Sequence, residues 1–193
     1  MASKALFFGI GIFWLAAIPR PTFGDILYVS NISNNTLTRI TAPGASSVFA
    51  NEGLSFPTGL AFDSEGNLLV ANAFDNTIAK FTQEGVGSTF VGSGLSAPVG
   101  LVFDGAQNLY TSYSYSSIVR VSSEGAISHF SGGVSGAFGL AVDRAGNLYV
   151  ANHFANSISK ITPNGVSSVF VSGLNGPAGI AFDREGNLYV ANL

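Results

Sequence analysis

Apolar residues along this chain fall into short runs of about five, separated by Gly, Asn, Asp and Ser. Between residues 57 and 97 the runs are GLAFD (59–63), NLLVA (67–71), TIAKF (77–81) and GSTFV (87–91). Leu, Val, Ile and Phe dominate each run and turn-forming residues fill each gap, which predicts strands joined by tight reversals. Helical repeats of similar period would need runs of ten or more residues at 3.6 periodicity. The apolar runs here, about five residues each, are too short for one. The pattern predicts an all-β chain.

The four runs recur as a set. Gly59, Gly100, Gly139 and Gly179 lie 41, 39 and 40 residues apart, and Phe49, Phe90, Phe130 and Phe170 lie 41, 40 and 40 apart. A period near 40 that holds along the chain marks a repeat architecture. One phrase appears four times: DSEGNLLVAN from Asp63, DGAQNLYTSY from Asp104, DRAGNLYVAN from Asp143 and DREGNLYVAN from Asp183. In it the Asp side chain caps a turn, and Gly66, Gly146 or Gly186 supplies the positive φ that closes a hairpin. The third copy has Gln107 in place of that Gly, which predicts a differently shaped hairpin there.

Four antiparallel strands in about 40 residues make one blade of a β-propeller. Blades pack face to face, so strands apolar on both sides fit the arrangement. The recurring Phe of the fourth run is expected in the core between blades. The chain opens with ILYVS (26–30), a second-type run, and ends after another, NLYVA (187–191). The expectation is about four blades in an open or incomplete ring, the first blade lacking its inner strand and the last reduced to a hairpin. The repeat units are 25–56, 57–97, 98–136, 137–176 and 177–193. An open ring exposes blade faces and strand edges, which favours self-association.

The segments PTGLAFDSEGNLLVANAFDNTIAKFT and PAGIAFDREGNLYVAN resemble NHL repeats, which build six-bladed propellers. The resemblance covers residues 25–193 and implies a partial propeller of that kind. It is specific for fold and says little of function, because such propellers include binding proteins and enzymes.

Residues 1–24 differ from the repeats. Lys4 precedes an apolar run from Ala5 to Ile18, and Pro19 and Pro21 end it. Fourteen apolar residues are short for a bilayer span. A positive start, an apolar stretch and small residues predict an export signal peptide, with strand chemistry beginning near Asp25. The expected location is periplasmic, extracellular or cell-surface, with no membrane span once the signal is removed. Without Lys4 and Arg20 the chain carries six Lys and Arg against eleven Asp and Glu, a net charge of −5. It has no basic stripe to neutralise phosphates, so nucleic acid is not expected as a partner. The chain has no Cys, so packing alone must hold the fold.

In a propeller of this kind the loops between second and third strands meet the segments before first strands on one face. Those loops are 31–36, 72–77, 112–117 and 152–157, rich in Asn, Ser and aromatic residues and poor in charge. Asn31, Asn72, Ser112, Asn152 and Asn192 recur at one position, where Asn also commonly caps its own turn. Asp75, Tyr113, Tyr115 and His153 break the symmetry. The candidate ligand-binding set is therefore Asn72, Asp75, Tyr113, Tyr115, Asn152, His153 and Asn192, with no catalytic or metal residue assigned. Asp63, Asp104, Asp143 and Asp183 belong to hairpin turns at the other end of the strands. No nucleophile elbow, phosphate-binding loop or HExxH occurs.

The expected function is a non-enzymatic binding or scaffold module for a protein, peptide or carbohydrate, with no cofactor. The alternative is a metal-dependent gluconolactonase-like lactone hydrolase, or a lyase, on the same fold. Resemblance to that enzyme group implies one divalent cation such as calcium, for which Asp75, Asn72, Asn152 and Asn192 offer part of a ligand set. One carboxylate is a thin basis for a hard cation.

Overall fold

The computed structural model describes residues 15–18, 26–41, 44–113 and 115–193. Every regular element among them is a strand. The first sheet holds β1 (Leu15–Ile18), β2 (Ile26–Asn31), β3 (Thr36–Thr41) and β4 (Ala45–Ala50). The second holds β5 (Pro57–Phe62), β6 (Leu68–Asn72), β7 (Thr77–Phe81) and β8 (Gly87–Val91). β9 (Leu101–Phe103), β10 (Leu109–Tyr113), β11 (Ser117–Val121) and β12 (Ile127–Gly132) form the third. β13 (Ala137–Val142), β14 (Leu148–Asn152), β15 (Ser157–Ile161) and β16 (Ser167–Ser172) form the fourth. β17 (Pro177–Phe182) and β18 (Leu188–Asn192) form a two-stranded hairpin. Within each sheet, strands pair with their sequence neighbours and every pairing is antiparallel.

The first sheet corrects the expected strand count. Leu15–Ile18 pairs with Ile26–Val29, so the first blade has an inner strand after all. A short apolar run next in sequence to an open strand edge can satisfy that edge's backbone groups. The rest of the segment read as an export signal lies outside the described residues.

Strand alternation builds the seams between blades. Side chains of successive strand residues point to opposite faces. Accordingly Leu68 and Val70 enter the core against Tyr28 and Leu37 of the first blade, while Leu69 and Ala71 enter the core against Leu101 and Leu109 of the third. Leu148 and Val150 repeat the pattern toward Tyr110 and Ile118, and Tyr149 and Ala151 face Ile180 in the hairpin. Among the described residues there are four such cores, one per seam.

Inner strands meet through glycine. A Cβ on Gly59 would collide with the Val99 carbonyl, one on Gly100 with the Phe138 carbonyl, and one on Gly139 with the Ala178 carbonyl. The Gly59 N–H donates to the Val99 carbonyl at 2.7 Å. Only a residue without a side chain lets adjacent blades approach this closely.

Three of the four recurring phenylalanines are half-buried in the seams as expected: Phe49, Phe90 and Phe130. Phe170 is not; it is 53% exposed. The adjoining sheet has two strands, and no described residue covers the outer half of the fourth blade. Tyr189 on the hairpin is likewise 62% exposed. The ring is open.

The repeated phrase builds one turn. Asp63 Oδ1 accepts from the backbone N–H groups of Glu65 and Asn67, and Asn67 Nδ2 donates to Asp63 Oδ2 at 2.9 Å. Asp104, Asp143 and Asp183 repeat the bond from the following Asn side chain at 2.7, 2.8 and 2.9 Å. The third turn is not differently shaped. Gln107 takes φ +64, and its N–H donates to the Asp104 carbonyl as Gly66 does to Asp63. Its Oε1 accepts from the Ser64 N–H of the neighbouring blade, which compensates for a conformation that Gly would adopt freely.

Candidate functional site

The loops after the second strand of each blade are held in two ways. Their first Asn bonds within its own sheet or to the segment that leads into that sheet. Asn72, which is buried, accepts from the Ser55 N–H at 3.1 Å and donates to the Gly53 carbonyl and the Thr77 hydroxyl. Asn152, also buried, accepts from the Ser135 N–H and donates to the hydroxyls of Ser157 and Ser159. Asn31 donates to the Thr36 and Thr38 hydroxyls. The fifth loop residue bonds the segment that leads into the next sheet. Asn35 accepts from the Phe56 N–H at 2.8 Å, Asn76 from the Ala97 N–H at 2.7 Å and Asn156 from the Gly176 N–H at 2.8 Å. All three sit at positive φ, which Asn tolerates better than most residues.

With these buried amides engaged in the scaffold, the rings of Phe74 and Phe154 stand exposed on this face among polar loop residues. Phe74 is 72% exposed and stacks on Phe56, centroids 4.3 Å apart and planes 14° apart. Phe154, 66% exposed, meets Phe138 edge-on at 6.1 Å and His153 at 5.4 Å. The His153 ring lies 4.9 Å from Phe138, and Tyr115 lies 5.8 Å from it on the other side. His153 is half-buried, and its Nδ1 is buried with no hydrogen-bond partner among the described residues.

The predicted residues are therefore dispersed. Tyr115 and His153 join the ring cluster through Phe138. Tyr113 is half-buried against the core of the second seam. Asp75 is exposed and accepts from the Ser55 hydroxyl at 2.8 Å. Asn192 is exposed on β18. Phe56, Phe74, Phe138 and Phe154 were missed by sequence reasoning. The signal for two of them was the shared order Asn-x-Phe at 72–74 and 152–154.

The hairpin turns at the opposite end of the strands carry an ion pair. Lys80 pairs with Asp63 at 2.9 Å. Burial alone would raise the Asp63 carboxyl, but bonds from Asn67 and Lys80 outweigh it and hold it below its ordinary value. Burial, then the charge of Asp104, pushes the Tyr110 hydroxyl up to about 12; the hydroxyl donates to Asp104 at 3.1 Å.

No protein-family model matches the chain, and no curated protein matches its sequence. Solved structures do match in shape. A catalytically inactive virginiamycin B lyase from Staphylococcus aureus, solved with quinupristin, is 17% identical with a TM-score of 0.69; the match covers 86% of this chain and 66% of that one. A nidogen/laminin complex is 20% identical with a TM-score of 0.77, over 86% of this chain and 67% of that one. A putative gluconolactonase is 15% identical with a TM-score of 0.76, over 99% of this chain and 75% of that one. The chain thus spans about two thirds of the lyase's length. These neighbours are β-propeller proteins, and this chain is an open β-propeller of four-stranded antiparallel blades.

Proposed function

We propose that the protein is an exported propeller of the NHL type whose loop face binds a ligand without transforming it. The observation that carries this is the pair of exposed rings, Phe74 and Phe154, each backed by a second ring. Aromatic faces held in place by the scaffold lose little freedom on binding and suit sugar rings, planar groups or aromatic side chains. The amides of Asn72 and Asn152, already bonded, act in this reading as supports for the loops. A screen of the purified protein on glycan and peptide arrays tests it. Probes retained by the wild type and lost in Phe74→Ala and Phe154→Ala support the reading. Retention by both variants, or no retained probe at all, overturns it.

A second reading is a lyase or metal-dependent lactone hydrolase, the alternative that the lyase and gluconolactonase neighbours suggest. His153 favours it, because its Nδ1 is buried without a partner beside the exposed face. In that case Asp75 would supply a carboxylate ligand to a cation such as calcium, Asn72 having its oxygen already bonded to the Ser55 N–H. Metal content of the purified protein would then fall in Asp75→Ala.

A further inference from the structure

We propose that the seam between the first and second blades holds a second ligand site, one that takes an organic cation with a short apolar arm. This does not rest on the loop-face reading. A groove of about 790 Å³ runs between β4, with the segment that follows it, and the outer strands β7 and β8. That volume lies within the range of about 300–1,000 Å³ usual for small-molecule sites.

The groove has a cause in the sequence. On the face turned to the preceding blade, the second blade carries Ala79, Gly87 and Thr89. The third blade carries Val119, Ile127 and His129 at the same places in its strand pairing. Ile127 packs into the core of its seam, against the position where a Gly94 side chain would begin. At Gly87 the Phe81 ring takes the space that a Cβ would need, at 2.8 Å, and the short Ala79 and Thr89 side chains leave the first seam open on its outer side.

The chemistry of the walls selects the occupant. Phe49, Leu54 and the exposed Val86 line it with apolar surface, and the acidic residues Glu52 and Asp75 line it as well. Among the described residues no Lys or Arg lines the groove and neither carboxylate forms an ion pair. An ammonium group near these carboxylates is favoured by their charge, and the aromatic wall suits its apolar arm and the cation itself. An anionic ligand meets repulsion.

The test uses 2-phenylethylamine and its uncharged counterpart 2-phenylethanol, titrated calorimetrically into the full chain at low and high salt. The amine is expected to bind at least about fivefold more tightly than the alcohol, with the difference shrinking at high salt. Glu52→Gln and Asp75→Asn should each weaken the amine by about two- to fivefold and leave the alcohol unchanged. Thr89→Phe, at an exposed position, should abolish both by filling the groove. Phe154→Ala should change neither, which separates this site from the loop face. No amine binding, equal binding of amine and alcohol, or amine binding indifferent to the carboxylate variants and to Thr89→Phe would overturn the proposal.

Discussion

Replacing Gly100 by Ala adds one methyl group at the place where two blades touch. That methyl would stand against the Phe138 carbonyl and 2.8 Å from Leu140 Cγ. The carbonyl belongs to the inner strand of the next blade and cannot rotate aside as a side chain can, so the seam itself must open. Overpacking a well-filled site costs about 1–3 kcal/mol, and a backbone obstacle places this variant at the upper end. Gly105 is the internal control: it lies in a turn, and its Cβ would meet nothing within 4 Å. Gly105→Ala should be neutral or slightly stabilising, because alanine restricts the unfolded chain. Urea unfolding followed by circular dichroism measures both. With a slope of about 2 kcal/mol per molar, a loss of about 3 kcal/mol lowers the midpoint by about 1.5 M. If Gly100→Ala unfolds with the same midpoint as Gly105→Ala, the inner strands do not meet as described.

Asn156→Ala removes the bond to the Gly176 N–H and leaves alanine at φ +53; a loss of about 1–2 kcal/mol is expected by thermal or urea unfolding. Tyr110 has a folded pKa raised from 10.0 to about 12. A raised pKa contributes stability that is present below pH 10 and lost as pH rises toward 12, so melting temperature should fall across that window, and less steeply in Tyr110→Phe. Asp63 and Asp143 have lowered pKa values, so their contribution is present above about pH 4 and is lost as pH falls through their folded values. Phe170 and Tyr189 leave an apolar face uncovered at the open side of the ring, and light scattering after size exclusion should show oligomers that Phe170→Ser combined with Tyr189→Ser reduces.

The repeat made the fold legible in the sequence. A 40-residue period with four short apolar runs specifies a blade, and the alternation within NLLVA specifies two buried faces, as the division of Leu68 and Leu69 between seams shows. The inner strand at 15–18 was hidden because its residues belong to an apolar segment with export-signal character. Gln107 misled for a different reason: a bond from the next blade supports its positive φ, and a single hairpin gives no sign of that. The site was less legible. Polar residues drew attention on the loop face, yet Asn72 and Asn152 turn inward because the backbone of the preceding segment needs partners. Phe74 and Phe154 are of a type usually buried, and the position of their loops outside the sheets leaves them exposed.

The central claim is that exposed rings, rather than the amide positions, form the recognition surface. The most direct measurement is the dissociation constant of an array-selected probe for the wild type and for the double variant Phe74→Ala, Phe154→Ala. Aromatic contacts worth about 0.5–1.5 kcal/mol each beyond burial predict at least about a tenfold weaker constant for the double variant, with the melting temperature unchanged. An unchanged dissociation constant in a folded double variant would contradict the account.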